Sequence, residues 1–178
     1  MSKKSGFTLI ELLVVIAIIA ILSVVGVVVF KGVTTSARDA QRKADLGAIY
    51  KALEIYYYQN GKYPQAGSCA YGTNCYVYSI AAGSNWIPAL DSNYMQSVPK
   101  DPKNNACCPW SNGNYGYAYG NVTSNGQAYD LTAQLENTSD PDRCGVKNYK
   151  WGFANGSWCT AFGGSYSNQI YEKSPLTP

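Results

Sequence analysis

Glu11 is the residue whose placement most needs a chemical reason. It stands in a run from Phe7 to Phe30 that is apolar except for Thr8, Glu11, Ser23 and Gly26. A carboxylate in such a run costs about 2.5–3.5 kcal/mol to insert into hydrocarbon, and groups of this kind take a partner. A chain cut between Gly6 and Phe7 would supply one, because the new α-amino group of Phe7 lies within a helical turn of Glu11. On a lone helix that amine pairs with its own glutamate. In a bundle of staggered helices it neutralises the carboxylate of a neighbouring copy and so sets the axial register. A glutamate snorkelling to the membrane interface is the alternative.

Other chemistry is scarce. Histidine is absent, which excludes Ser-His and Cys-His catalysis and any zinc site containing histidine. The carboxylates available for a glycosidase-type pair are Asp91, Asp101, Asp130, Glu136, Asp140, Asp142 and Glu172, and no spacing singles out two of them. We therefore expect no enzyme, no catalytic residue and no cofactor. The six cysteines are Cys69, Cys75, Cys107, Cys108, Cys144 and Cys159. They lack C-x-x-C spacing, so disulfides are expected instead of a metal centre. Cys69 with Cys75 closes a tight loop, and the adjacent Cys107 and Cys108 are expected to reach separately to Cys144 or Cys159. Lys147 to Phe153 interleaves bases with aromatics, a pattern able to stack on single-stranded nucleic acid or sugars. The net charge of only +3 gives no broad attraction to DNA, so DNA or glycan binding has little support and a mixed strand is the plainer reading. Asn121, Asn137 and Asn155 begin glycosylation-type triplets that so Asn- and Ser-rich a chain produces by chance.

The elements that must position these residues follow from hydropathy. A run of this length reaches about 36 Å as a helix, enough to cross a bilayer and too long for the core of an ordinary signal peptide. Lys3 and Lys4 place its start on the cytoplasmic side and the remainder outside. From Lys31 to Tyr58, Val33, Ala37, Ala40, Ala44, Ala48, Ala52 and Ile55 recur at helical spacing, widened by Leu46, Ile49 and Leu53. Arg38, Asp39, Arg42, Lys43, Asp45, Lys51 and Glu54 fill the opposite side, with Asp39 and Lys43 as an i,i+4 pair. A continuous helix of about 50 residues is expected, with Gly26, Gly32 and Gly47 as weak points and a stop at Asn60-Gly61 before Tyr63-Pro64. Beyond it, strands are expected over Tyr115 to Tyr119, Ala128 to Leu135 and Val146 to Phe153, with Asn125-Gly126 as a hairpin turn. The fold class is α+β: a long N-terminal hydrophobic helix packed on a small antiparallel sheet stapled by disulfides. The expected segments are 1–6 as a leader, 7–60 as the helix and 61–178 as a β-rich head.

Ser5-Gly6-Phe7-Thr8-Leu9-Ile10-Glu11-Leu12-Leu13-Val14-Val15-Ile16 resembles the processing and assembly segment of type IV prepilins and of the pseudopilins of type II secretion. Val98-Pro99-Lys100-Asp101-Pro102 and the Tyr-rich hairpin ending at Glu136 resemble the heads of pseudopilin-like and Gram-positive-type pilins. The resemblance implies that a prepilin peptidase cuts between Gly6 and Phe7 and methylates the Phe7 amine, and that Glu11 is the inter-subunit glutamate. It implies a homo-oligomeric helical filament built by an inner-membrane platform and ATPase. The subunit would be single-pass in the membrane with an extracytoplasmic head before assembly. The expected function is that of a type IV pilus subunit serving adhesion, motility or DNA uptake, with a periplasmic pseudopilus driving protein export as the alternative. The resemblance also offers a Cys144–Cys159 bridge near the carboxyl end, and it raises calcium, for which Asn137, Asp140 and Asp142 form the local cluster. A turn capped by Asp-Pro is the preferred reading there, and no metal is expected.

Overall fold

The computed structural model describes residues 6–67, 76–90, 93–109, 113–121, 125–142 and 170–173, without the side chains of 25–29, 170 and 172. Helix α1 runs unbroken over Leu9–Asn60, 52 residues, through all three glycines. It stops where expected. Gly61 takes the left-handed φ of 70°, and its N–H closes the last turn on the Tyr57 carbonyl at 2.8 Å. The chain forms two compact units, Met1–Ala37 and Arg38–Pro178. In the first, the apolar side chains from Phe7 to Val24 lie exposed on a bare helix. Among the described residues no helix is long and apolar enough to cross a membrane; the expected span includes positions 25–29, whose side chains are outside the description.

The second unit carries a four-stranded antiparallel sheet in the order β1 (Tyr76–Tyr78), β2 (Ala118–Asn121), β3 (Tyr129–Gln134), β4 (Ile170–Lys173). This is the α+β arrangement expected from the sequence. The central pair holds Ala118 opposite Thr132 and Asn121 opposite Tyr129. The third expected strand, Val146 to Phe153, lies outside the described residues. β2 begins later than the tyrosine alternation suggested. Tyr115 instead pairs with Asn105, donating its N–H to Oδ1 and accepting the Asn105 N–H at its carbonyl, so this stretch belongs to a loop contact before the ladder starts.

The helical face also differs from expectation. Ala37, Ala40, Ala44 and Ala48 are exposed, and so are Val33 and Ile55. The buried stripe is Asp39, Arg42, Leu46, Ile49, Ala52 and Leu53, again at helical spacing. The larger Leu and Ile side chains bury more area than alanine, about 25 cal/mol per Å², so they turn inward. The two charged residues one and two turns earlier on the same face go with them. Against this face lie Tyr63, Trp86, Ile87, Leu90, Val98, Tyr119, Tyr129 and Leu131. Tyr63 stacks on Tyr57 and meets Tyr129 edge-on, each at 4.6 Å between ring centroids, so aromatic rings fill much of the volume that aliphatic residues occupy elsewhere.

Candidate assembly segment and a buried ionic cluster

Gly6, Phe7 and Thr8 precede the first helical residue in non-helical, exposed backbone, and the Phe7 side chain is 77% exposed. A β-carbon on Gly6 would meet nothing within 4 Å, so this fold itself makes no demand for glycine there. Thr8 is the N-cap of α1 and Glu11 its third helical residue. The Thr8 N–H and hydroxyl both donate to Glu11 Oε2, at 2.8 and 2.7 Å, and the Glu11 N–H donates back to Thr8 Oγ1 at 3.3 Å. This reciprocal arrangement satisfies donors that an α-helix leaves open at its start. Glu11 thus has a local partner that the reading of an isolated carboxylate missed. The signal was present as Thr-x-x-Glu directly before an apolar run. Among the described residues these bonds engage Oε2 and not Oε1.

The second unit holds a constellation that sequence reasoning did not find. Arg42, placed on the solvent side by the helical pattern, is fully buried. Its Nε and Nη2 bind the two oxygens of Asp101 at 2.7 and 3.0 Å, and its Nη1 binds Asp39 Oδ1 and Glu136 Oε1, each at 2.8 Å. Arg38 grips both oxygens of Glu136 at 2.6 Å. Lys103 reaches Glu136 Oε2 at 2.7 Å. Asp39 also accepts the backbone N–H groups of Glu136 and Asn137, at 2.9 and 2.8 Å. Asp39 is therefore paired with Arg42 and strand-exit backbone, a correction to the expected Asp39–Lys43 pair. The Tyr115 ring covers the cluster, with Arg42 and Lys103 at 4.8 and 4.1 Å from its centroid. Three acids and three bases balance.

Burial alone would penalise charge on Arg42, but its hydrogen bonds to Asp101, Glu136 and Asp39 raise its pKa above the ordinary value. Burial likewise opposes ionisation of Glu136, yet Arg38, Lys103 and Arg42 hold its pKa at about 2. Within the second unit these residues tie the part of α1 from Arg38 onward to the loop carrying Asp101 and Lys103 and to the chain just past β3.

Lys43 extends instead to the acidic turn, its Nζ lying 2.6 Å from Asp140 Oδ1 and 2.7 Å from Asp142 Oδ2. Asn137 Oδ1 caps this turn by accepting the Ser139 N–H. The carboxylates considered for calcium thus face an ammonium group. Among the described residues no group of His, Cys, Asp or Glu is arranged to hold a metal ion. Asp130 Oδ2 accepts the Tyr76 hydroxyl at 2.8 Å. Cys107 and Cys108 are half-buried on one short loop, and the partners expected for them, Cys144 and Cys159, lie outside the described residues. Cys69, Cys75, Cys144 and Cys159 lie outside the described residues, as do Asp91, the Lys147 to Phe153 motif and the Asn155 triplet.

Comparison with known proteins bears on the amino-terminal segment and on the head. Residues 1–27 match the family model described as a prokaryotic N-terminal methylation motif. The chain is similar to the type II secretion system core protein G of Aeromonas hydrophila, with 31% identity over 114 residues, covering 64% of this chain and 78% of the relative. No solved structure matches it.

Proposed function

Because the chain belongs to the family uniting type IV pilins with the pseudopilins of type II secretion, whose members are membrane-anchored and then assembled into filaments, we propose that it is a structural subunit of such a filament. In this reading the peptidase cuts between Gly6 and Phe7, the Phe7 amine is methylated, and α1 serves first as a single-pass anchor and then as the filament core. The observation that carries it is the exposed helix start, where the Thr8 N–H and hydroxyl both engage Oε2 of an exposed Glu11 carboxylate; in this reading Oε1 takes the incoming ammonium. A neighbouring Phe7 amine placed there would neutralise the carboxylate that membrane insertion disfavours. Assembly then relieves that cost. The role is one of scaffolding, not catalysis: the described carboxylates of the ionic cluster are bound by cations, as internal structure requires.

The likeness to a type II secretion core protein G favours a periplasmic pseudopilus that drives protein export over an extracellular pilus serving adhesion, motility or DNA uptake. The test is Glu11→Gln in the producing cell. We expect leader removal to continue, with mature mass beginning at Phe7, while assembled filaments are lost. Filaments at full yield, or a mature product still beginning at Met1, would overturn the proposal. Loss of export on deleting the gene, without loss of surface fibres, identifies the pseudopilus; the reverse identifies a pilus.

A further inference from the structure

The chain holds four Asn-Gly pairs, beginning at Asn60, Asn112, Asn125 and Asn155. In such a pair the asparagine side chain is open to attack by the next backbone nitrogen, because glycine brings no β-carbon to crowd the approach. The structure describes the glycine of three pairs, and in two of them the nitrogen is occupied. The Gly61 N–H donates to the Tyr57 carbonyl at 2.8 Å, and the Gly113 N–H donates to Gln134 Oε1 at 2.8 Å. Asn60 is restrained as well, its Nδ2 donating to the Tyr56 carbonyl at 2.9 Å and to the Tyr94 hydroxyl at 3.1 Å. Gly126 differs. Among the described residues no hydrogen bond engages its N–H. The exposed Asn125 folds toward the backbone that follows it, with Oδ1 accepting the Gln127 N–H at 3.2 Å. That donor polarises the Asn125 side-chain carbonyl in the sense in which attack builds negative charge on its oxygen.

We propose that Asn125 is a self-modifying site, which deamidates through a cyclic imide with Gly126 and so loosens the exit of α1. In the first step the Gly126 nitrogen bonds to Cγ of Asn125 and the Cγ–Nδ2 bond breaks. The Gly126 proton leaves with Nδ2 as ammonia. Water then opens the imide at either carbonyl, giving aspartate or isoaspartate, and no electron moves. The modification falls on a joint. The Gly126 carbonyl accepts the Tyr63 N–H at 2.9 Å, Gln127 Nε2 donates to the Gly61 carbonyl at 2.9 Å, and Gln127 Oε1 accepts the Tyr57 hydroxyl. Those bonds fasten the turn before β3 to the end of α1. Isoaspartate lengthens the main chain by one carbon inside that turn. Either product adds a negative charge beside the carboxyl end of a helix, where the dipole disfavours one.

The full-length chain, aged in warm neutral buffer and peptide-mapped by mass spectrometry, tests the site, with an isoaspartyl-specific methyltransferase as the probe for isoaspartate. In the folded chain we expect Asn125 to convert roughly tenfold or more faster than Asn60, the factor that three ordinary hydrogen bonds supply. In urea, where those bonds are gone, the two should convert at similar rates. Asn125→Gln should lose the methyltransferase label at that position and, after ageing, hold a higher thermal midpoint than the wild type aged beside it. No conversion at Asn125, equal rates at Asn125 and Asn60 in the folded chain, or equal midpoints for the two aged proteins would overturn the proposal.

Discussion

Arg42 and Asp101, 59 residues apart in sequence, form a two-pronged ion pair with both side chains completely buried. Each charge is tolerable only because the other is present, and because Asp101 also accepts the Lys103 N–H at 2.8 Å. Removing one member of such a pair costs about 3–5 kcal/mol, whereas exchanging the whole group for apolar residues can be neutral. Asp101→Asn should therefore lower the denaturant midpoint of the head sharply. Arg42→Lys should do nearly the same, because an ammonium cannot supply the planar fork. Urea unfolding followed by tyrosine fluorescence checks both. A midpoint unchanged in Asp101→Asn would refute the account of the cluster.

Glu136 makes the stability of the head depend on acid. Its folded pKa is depressed to about 2, while the unfolded carboxyl titrates near the ordinary 4.5. The stabilisation is thus fully present above about pH 4.5 and is lost progressively as the pH falls toward 2. Thermal midpoints of the wild type should fall through that window. Glu136→Gln should begin lower and vary less with pH there. Parallel curves for the two proteins would assign the acid sensitivity to other groups.

Two glycines should respond in opposite directions. A β-carbon on Gly116 would sit 2.5 Å from the Ala106 carbonyl oxygen, a backbone atom that cannot swing away. Gly116→Ala should cost about 1–3 kcal/mol through forced displacement. Gly47 lies within α1 with nothing within 4 Å of the added atom. Gly47→Ala should stabilise by about 0.5–1 kcal/mol, because alanine loses less backbone freedom on becoming helical. Differential scanning calorimetry reads both signs, and a stabilised Gly116→Ala would contradict the close approach.

Local features were legible because their causes lie within a few residues. The long helix, its stop at Gly61, the β3 strand and the cleavage-like segment around Gly6 and Phe7 each depend on hydropathy spacing or turn chemistry at neighbouring positions. The Thr8–Glu11 box was equally local and could have been read from Thr-x-x-Glu. The inward face of α1 was not legible in the same way. Alanine recurrence and Leu/Ile recurrence gave two competing stripes, and only the sheet and loops lying opposite selected the second.

What the sequence alone determined is the class of molecule: an apolar, glutamate-bearing helix start joined to an α+β head, because short-range periodicity and capping are written in contiguous residues. Tertiary structure alone decided that Arg42 is an interior residue, that Lys43 serves Asp140 and Asp142, and that Asp39 binds the backbone leaving β3. Those contacts join positions up to 99 residues apart. A charged side chain carries the same symbol whether it meets water or its counter-ion, and only the folded chain brings the counter-ion to it.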